Sequence, residues 1–181
     1  MPAYNVYLAA LGSHGLTSQE QTDIQTKLTA WFNRIAAGTS YGTASVSWAT
    51  AAPGAIGGHE LLIYFVADSM DSILVSLPGN SGRGSGDGFT TWANNLTGSE
   101  VYVSSSRQYL AEMAFHESMH NKLHLGDTAL HAKDGLAHIP VTAGTAPSAT
   151  NITDMRTALS TSQPQWTGGW TAYNDPSRGL F

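Results

Sequence analysis

The run 60-ELLIYFVAD-68 constrains the fold of this chain more than any other stretch. It is a continuous apolar segment of strand length, a pattern typical of a β-strand that is buried on both faces. With 181 residues the chain is long enough to bury a sizeable core without disulfides or metals to support it. We therefore expect a single domain over residues 1–181.

The segment ahead of this strand predicts an amphipathic helix. Apolar residues recur at helical spacing through 17-TSQEQTDIQTKLTAWFNRIAAG-38. Thr17 and Glu20 have the spacing of a capping box, in which each side chain bonds the backbone N–H of the other residue. Gly38 is placed to stop the helix. A long N-terminal helix is therefore expected over residues 17–38.

The remaining elements complete an α+β layout. Residues 78–88 hold five glycines and predict a mobile surface loop, and their spacing fits no phosphate-binding motif. The order of elements predicts a mixed, twisted sheet with two long helices within residues 1–125, followed by an irregular C-terminal subdomain over 126–181. Further strands are predicted at 4–11, 44–50 and 100–106, and further helices at 107–125 and 151–159, the last capped by Asn151 and Asp154.

The composition excludes several kinds of site and partner. The chain has no cysteine, so a metal would have to be held by His, Asp or Glu side chains. A net charge of −5 without any basic run argues against a nucleic-acid surface. No stretch approaches the roughly 20 apolar residues of a membrane span, and the N-terminus lacks the basic segment of a signal peptide. We therefore expect a soluble protein.

The segment 115-FHESMHNKLHLGDTALH-131 carries the candidate chemistry. His116 and His120 are four residues apart, which places them on one face of a helix where both imidazoles can reach one ion. Glu117 points beside such an ion and is suited to accept a proton from a water bound to it. We predict His116 and His120 as metal ligands and Glu117 as the general base. The alternative is a solvated helix that happens to be rich in histidine.

The motif and the layout before it resemble the zincin metallopeptidases. The residues 116-HESMH-120, on a helix that follows a mixed sheet, carry this likeness. The order of elements ahead of the helix is similar to the metzincin branch, and the likeness in layout covers residues 4–131. It implies a zinc ion (Zn2+) as cofactor, a peptide or protein as substrate, and hydrolysis of a peptide bond.

The resemblance also implies a third zinc ligand, although the spacing departs from that of the family. Metzincins carry HExxHxxGxxH, whereas this chain has Leu123 at the glycine position and its next glycine is Gly126. If Gly126 ends the helix, the helix runs about 4.5 Å further than in metzincins. An extended return at about 3.3 Å per residue then needs one or two extra residues. His131 fits this distance best, Asp127 is the second candidate and His138 the third.

Three residues after the motif have open roles. His124 continues the row of His116 but lies about 11–12 Å away along the helix axis, so we expect a surface or supporting role. The resemblance implies a methionine turn below the metal, for which Met155 and the small-residue turn 135-GLA-137 are two candidates. Tyr173 is a candidate for stabilising an oxyanion, or else it packs in an aromatic tail.

These observations lead to two functional hypotheses. The leading one is a zinc-dependent peptidase, acting as an endopeptidase and a monomer, in which an edge strand near 89–103 aligns an extended substrate by backbone pairing. The alternative is a zincin-fold binding protein, or a component of a particle or effector, whose zinc is structural. The compartment stays open, and export without a standard signal peptide is one hypothesis.

Overall fold

Five strands form one mixed sheet in the part of the chain that the structure describes. The structure is a computed structural model, and it describes residues 2–52 and 56–174. The strands are β1 (Tyr4–Ala10), β2 (Ala44–Trp48), β3 (Leu61–Val66), β4 (Gly88–Ala93) and β5 (Leu96–Tyr102). They lie in the order β2-β1-β3-β5-β4. All neighbours are parallel except β5 and β4, so β4 is an antiparallel edge strand.

The helices are distributed along the whole described chain, and together with the sheet they give the α+β class that was predicted. Within the described residues no helix is both long enough and apolar enough to cross a membrane. The α-helices are α1 (Ser18–Ala36), α2 (Val103–Ser106), α3 (Leu110–Leu123), α4 (Asp127–His131), α5 (Ala149–Ala158) and α6 (Gly169–Tyr173), and short 3-10 turns lie at Ser69–Asp71, Leu74–Ser76 and Gly135–Ala137.

The strand β3 is buried on both faces, as its sequence predicted. All of its residues are buried, and alternate side chains enter two separate apolar clusters. Helices α1, α3 and α5 and the turn Gly135–Ala137 cover one face of the sheet, whereas the turn Leu74–Ser76 and the C-terminal segment cover the other. The first cluster takes Leu61, Ile63 and Phe65 of β3, and the second takes Leu62, Tyr64 and Val66.

The capping box predicted at the start of the first helix is present. The Glu20 backbone N–H donates to Thr17 Oγ1 at 3.1 Å, and the Thr17 N–H donates to Glu20 Oε2 at 2.7 Å. The helix α1 ends at Ala36, slightly before Gly38, which donates its own N–H to the Ile35 carbonyl at 3.3 Å. The last turn of α1 therefore ends with Ala37 in the ordinary right-handed helical conformation.

The strand predicted at 100–106 was wrong in its second half. The strand β5 ends at Tyr102, and residues 103–106 form the short helix α2. The hydroxyls of Ser105 and Ser106 donate back to the Tyr102 carbonyl. Serine side chains that bond the local backbone in this way compete with a strand ladder, so the chain turns here.

The cap predicted for the last long helix was also misplaced. The helix α5 begins at Ala149, and its capping box is formed by Ser148 and Asn151. Asp154 lies inside the helix and pairs with Lys133 at 2.9 Å. The Ser148 hydroxyl accepts from the Asn151 N–H at 3.0 Å and donates to Asp134 Oδ1 at 2.9 Å, and accepting from the first turn is the usual role of a serine at that position.

Candidate metal centre

The buried helix α3 carries the two histidines of the motif. His116 and His120 are 3% and 5% exposed, and Glu117 is 4% exposed. Since almost every residue of α3 is buried, polar and apolar alike, this helix is not the solvated, histidine-rich surface helix of the alternative hypothesis. The structure places these side chains inside the fold, where polar groups need partners.

The end of α3 differs from the prediction. The helix ends at Leu123 and not at the predicted Gly126, and His124 takes the left-handed conformation with φ 56°. This conformation costs a residue other than glycine about 1–2 kcal/mol. The His124 ring stacks on Trp92 at 4.6 Å, and its Nδ1 lies 3.3 Å from Gln163 Nε2. These contacts offset the strain and keep the exposed ring outside the histidine cluster.

The return to the cluster is helical and not extended. Gly126 is the N-terminal cap of α4, and His131 is the last residue of that short helix. The predicted residue is therefore brought to the motif histidines, although the extended path assumed for it was wrong. A one-turn helix and a short linking segment cover the distance that an extended chain would have covered.

Three imidazole nitrogens converge at one point. His131 Nε2 lies 3.3 Å from His116 Nε2 and 3.3 Å from His120 Nε2. The ligand atoms of all three side chains lie within 4.8 Å of one another. Zinc bonds imidazole nitrogen at about 2.0–2.1 Å, and tetrahedral angles then separate two ligand nitrogens by about 3.3–3.4 Å. The observed spacing therefore fits a single ion of this kind.

Backbone carbonyls orient the two motif histidines. His116 Nδ1 lies 2.7 Å from the Leu136 carbonyl, and His120 Nδ1 lies 2.6 Å from the Leu125 carbonyl. A carbonyl only accepts, so each Nδ1 carries the proton and each neutral ring presents the lone pair of Nε2 to the cluster. The 3-10 turn Gly135–Ala137 thus supports the site through its backbone.

The charge state of these rings favours metal binding. Burial lowers the pKa of His116 to about 4, and burial also lowers the pKa of His120. Both imidazoles are consequently neutral near pH 7, which is the state that ligates metals. The donor set of three imidazoles suits zinc and neighbouring transition metals better than calcium or magnesium, which prefer oxygen ligands.

Glu117 lies next to this cluster, and its side chain is buried. Burial raises the pKa of Glu117 to about 8, partly offset by a hydrogen bond of 2.6 Å that Thr90 Oγ1 donates to Glu117 Oε2. The positive charge of a nearby metal ion would favour the ionised carboxylate. An ionisable carboxyl beside a metal site is the arrangement required of a general base.

A cleft of about 630 Å³ opens over the cluster. One wall is the edge strand β4 together with the glycine-rich loop before it, and the opposite wall is the segment 139–141. The floor is formed by α3, including His116, Glu117 and Met113. The histidine nitrogens and the glutamate therefore share one open groove with a sheet edge.

The other candidate ligands lie outside the triad. Asp127 is at the rim, with its side chain 85% exposed and its Oδ1 3.9 Å from His120 Nε2. The exposed His138 places its Nδ1 3.0 Å from the backbone carbonyl of His131 and so supports the third histidine from behind. The structure thus assigns these two candidates to positions around the cluster.

Met155 and Tyr173, whose roles the sequence left open, both lie away from the histidine cluster. Met155 is fully buried in the core beneath α5. The Tyr173 hydroxyl accepts from the Ser13 N–H at 3.3 Å, and its ring packs on the cluster at the other face of the sheet. Neither side chain lines the cleft.

The sequence reasoning missed Thr90 altogether. This residue lies on β4, far from the motif in sequence, and no local pattern marks it. Its neighbour across the sheet, Ser99 on β5, was missed for the same reason, although the two hydroxyls lie 2.8 Å apart. A correct prediction of the β4–β5 hairpin would have placed both beside the motif helix.

Comparison with known protein families, with curated proteins and with solved structures finds no match to this chain. The chemistry of the site therefore rests on its own geometry. The site offers three converging imidazoles, one buried carboxyl and an open cleft.

Proposed function

We propose that the protein is a zinc-dependent peptidase. The observation that carries this proposal is the convergence of three Nε2 atoms, from His116, His120 and His131, beside the buried carboxyl of Glu117. Catalytic zinc sites have three protein ligands and leave a fourth position for water or substrate. The open cleft above the histidines is consistent with such a fourth position.

The chain's own residues divide the chemistry between them. A bound zinc ion would supply Lewis-acid polarisation and make water a stronger nucleophile near neutral pH. Glu117 is placed to accept the proton of the attacking water and to return it to the leaving amine nitrogen. The Leu136 and Leu125 carbonyls hold the two motif imidazoles in the tautomer that ligates.

The substrate proposed is an extended segment of a peptide or protein. β4 is the outermost strand on its side of the sheet and forms one wall of the cleft. An exposed strand edge can bind an extended chain by backbone pairing, which fixes the direction of the peptide without depending on its side chains. An open groove with a strand at one wall favours an endopeptidase over an enzyme confined to chain ends.

The experiment is hydrolysis of fluorescently labelled casein by the full chain, purified without a histidine tag and reconstituted with zinc. We expect hydrolysis that a chelator abolishes and that Glu117→Gln lowers by at least about 100-fold while zinc binding persists. The matched control is His59→Ala, which removes an exposed histidine of the sequence 59-HELLI-63, outside the cluster. Zinc-loaded protein whose casein hydrolysis is unaffected by Glu117→Gln would refute the proposal.

A second candidate is a zinc site with a structural role, and the position of Asp127 favours testing it. Its Oδ1 is 3.9 Å from His120 Nε2, so a modest movement would make it a fourth ligand and close the site. Structural zinc sites are closed in this way. If Asp127→Asn weakens zinc binding about as strongly as His131→Ala does, the structural role is supported and the peptidase is not.

A further inference from the structure

A chain of polar side chains runs from the core to Glu117 through the edge strand. Thr90 is its last member: Thr90 Oγ1 lies 2.6 Å from Glu117 Oε2 and 3.2 Å from the Glu117 backbone carbonyl. Oγ1 is also 2.8 Å from Ser99 Oγ. One hydroxyl on β4 thus contacts both the backbone and the carboxyl group of the proposed base.

The far end of the chain fixes the orientation of its two side-chain amides, those of Gln165 and Asn121. Gln165 Nε2 donates to the Gln163 carbonyl at 2.9 Å, and Gln165 Oε1 accepts from the Leu62 N–H at 3.3 Å. A carbonyl can only accept and an amide N–H can only donate, so the orientation of the Gln165 amide is determined by the backbone. Gln165 pairs with Asn121 through two bonds of 2.9 and 3.0 Å, which orients Asn121 in turn.

The orientation passes on to Thr90. Asn121 Nδ2 donates to Ser99 Oγ at 2.9 Å, which leaves the Ser99 proton for Thr90 Oγ1 at 2.8 Å or for the Glu117 backbone carbonyl at 3.5 Å, and the shorter contact is the one with Thr90. The Thr90 proton is then directed at Glu117 Oε2. Ser99 and Asn121 are fully buried, where an alternative partner such as bulk water is excluded. The chain therefore presents Thr90 to Glu117 as a hydrogen-bond donor.

The strand β4 also restricts the position of the Glu117 carboxyl group on the side away from Thr90. A Cβ atom at Gly88 would come within 2.7 Å of Glu117 Oε1 and within 2.9 Å of Glu117 Cγ. Thr90 holds one carboxylate oxygen, and the glycine leaves the space that the other one occupies. Both residues belong to β4 and face α3.

We propose that Thr90 is a positioning residue for Glu117, held as a donor by the Gln165–Asn121–Ser99 chain. This inference rests on the proposed peptidase function and adds a residue to that site. The strand that would align the peptide then also holds the base, so substrate and base share one rigid element. Removing the Thr90 hydroxyl would lower the rate of the chemical step without removing a metal ligand.

The kinetic test compares Thr90→Val, which keeps the shape and loses the hydroxyl, with Thr90→Ser, which keeps the hydroxyl. For labelled casein we expect Thr90→Val to lower kcat about 10–100-fold, as loss of a supporting hydrogen bond does, with KM and zinc content nearly unchanged. Thr90→Ser should recover most of the rate. Equal kcat for the wild type and Thr90→Val would overturn the proposal, as would a loss that Thr90→Ser shares.

A second measurement does not depend on activity. In thermal unfolding of the full chain, Thr90→Val should lower Tm more in the wild-type background than in Glu117→Ala, because only the former has the carboxyl group to lose. Equal decreases in both backgrounds would contradict the contact. If the zinc-loaded wild type leaves casein intact, the peptidase proposal fails, while the unfolding cycle still decides whether Thr90 holds Glu117.

Discussion

Substituting Gly88 by alanine tests how tightly the edge strand confines the proposed base. The added Cβ would lie 2.7 Å from Glu117 Oε1 and 3.0 Å from the Glu100 carbonyl, against the 3.4 Å at which ordinary contact begins. The shortfall at Oε1 is thus about 0.7 Å, from 3.4 less 2.7. Glu117 is tethered by Thr90 and the other neighbour is backbone, so neither can yield freely.

The expected result is a displaced carboxylate on a folded protein. Misplacement by about 1 Å can cost about 100-fold in rate, so we expect Gly88→Ala to lower casein hydrolysis about 10–100-fold. Overpacking costs about 1–3 kcal/mol, which the unfolding midpoint in urea would report. Gly88 lies in a strand and does not have a positive φ, so backbone strain adds nothing to this cost.

Gly82→Ala is the matched control for Gly88→Ala. Gly82 precedes the same strand, and a Cβ there would meet nothing within 4 Å. We expect this variant to keep the wild-type rate. If Gly88→Ala hydrolyses casein at the wild-type rate and unfolds at the wild-type urea concentration, the confinement argued for Glu117 is refuted.

Two further predictions concern stability. Burial raises the pKa of Glu100 above its ordinary 4.5. Above pH 4.5 the folded chain therefore keeps a proton that the unfolded chain releases. The free energy of unfolding falls as the pH rises from 4.5 through the raised pKa of the folded state. Glu100→Gln should flatten that fall in urea midpoints measured against pH; an unchanged slope would contradict it. Thr17→Ala should lower the free energy of unfolding by about 1 kcal/mol, because it removes the N-terminal cap of α1. The control is Thr22→Ala, an exposed change inside the same helix. Equal urea midpoints for the two variants would refute the capping argument.

The sequence predicted the part of the sheet in which a strand has a clear hydrophobic pattern of its own. The apolar run of β3 requires cover on both faces, and the structure supplies it. The strand β4 had no such pattern, because it is half-buried along its length. Its signal was the pair Asn94 and Asn95, both with positive φ, which form the two-residue turn between β4 and β5. Adjacent asparagines between two strand-like segments are typical of that turn.

The site could be predicted as far as the local spacing of the helix allowed. His116, Glu117 and His120 follow from helical periodicity. His131 was chosen by a distance estimate that assumed an extended return, while the chain uses His124 in a left-handed turn and a short helix. The ring stacking that makes this turn possible is a contact with Trp92, distant in sequence. Contacts of that kind cannot be inferred from a single segment.

The measurement that tests the central claim most directly is the zinc content of the tag-free chain after reconstitution, compared between the wild type and His131→Ala. The account predicts about one tightly held zinc ion per wild-type chain and a large loss of affinity in the variant, since the variant removes one of the three converging nitrogens. His138→Ala, which changes a supporting histidine outside the triad, should retain the ion. Less than about 0.2 zinc per wild-type chain, or unchanged affinity in His131→Ala, would contradict the account.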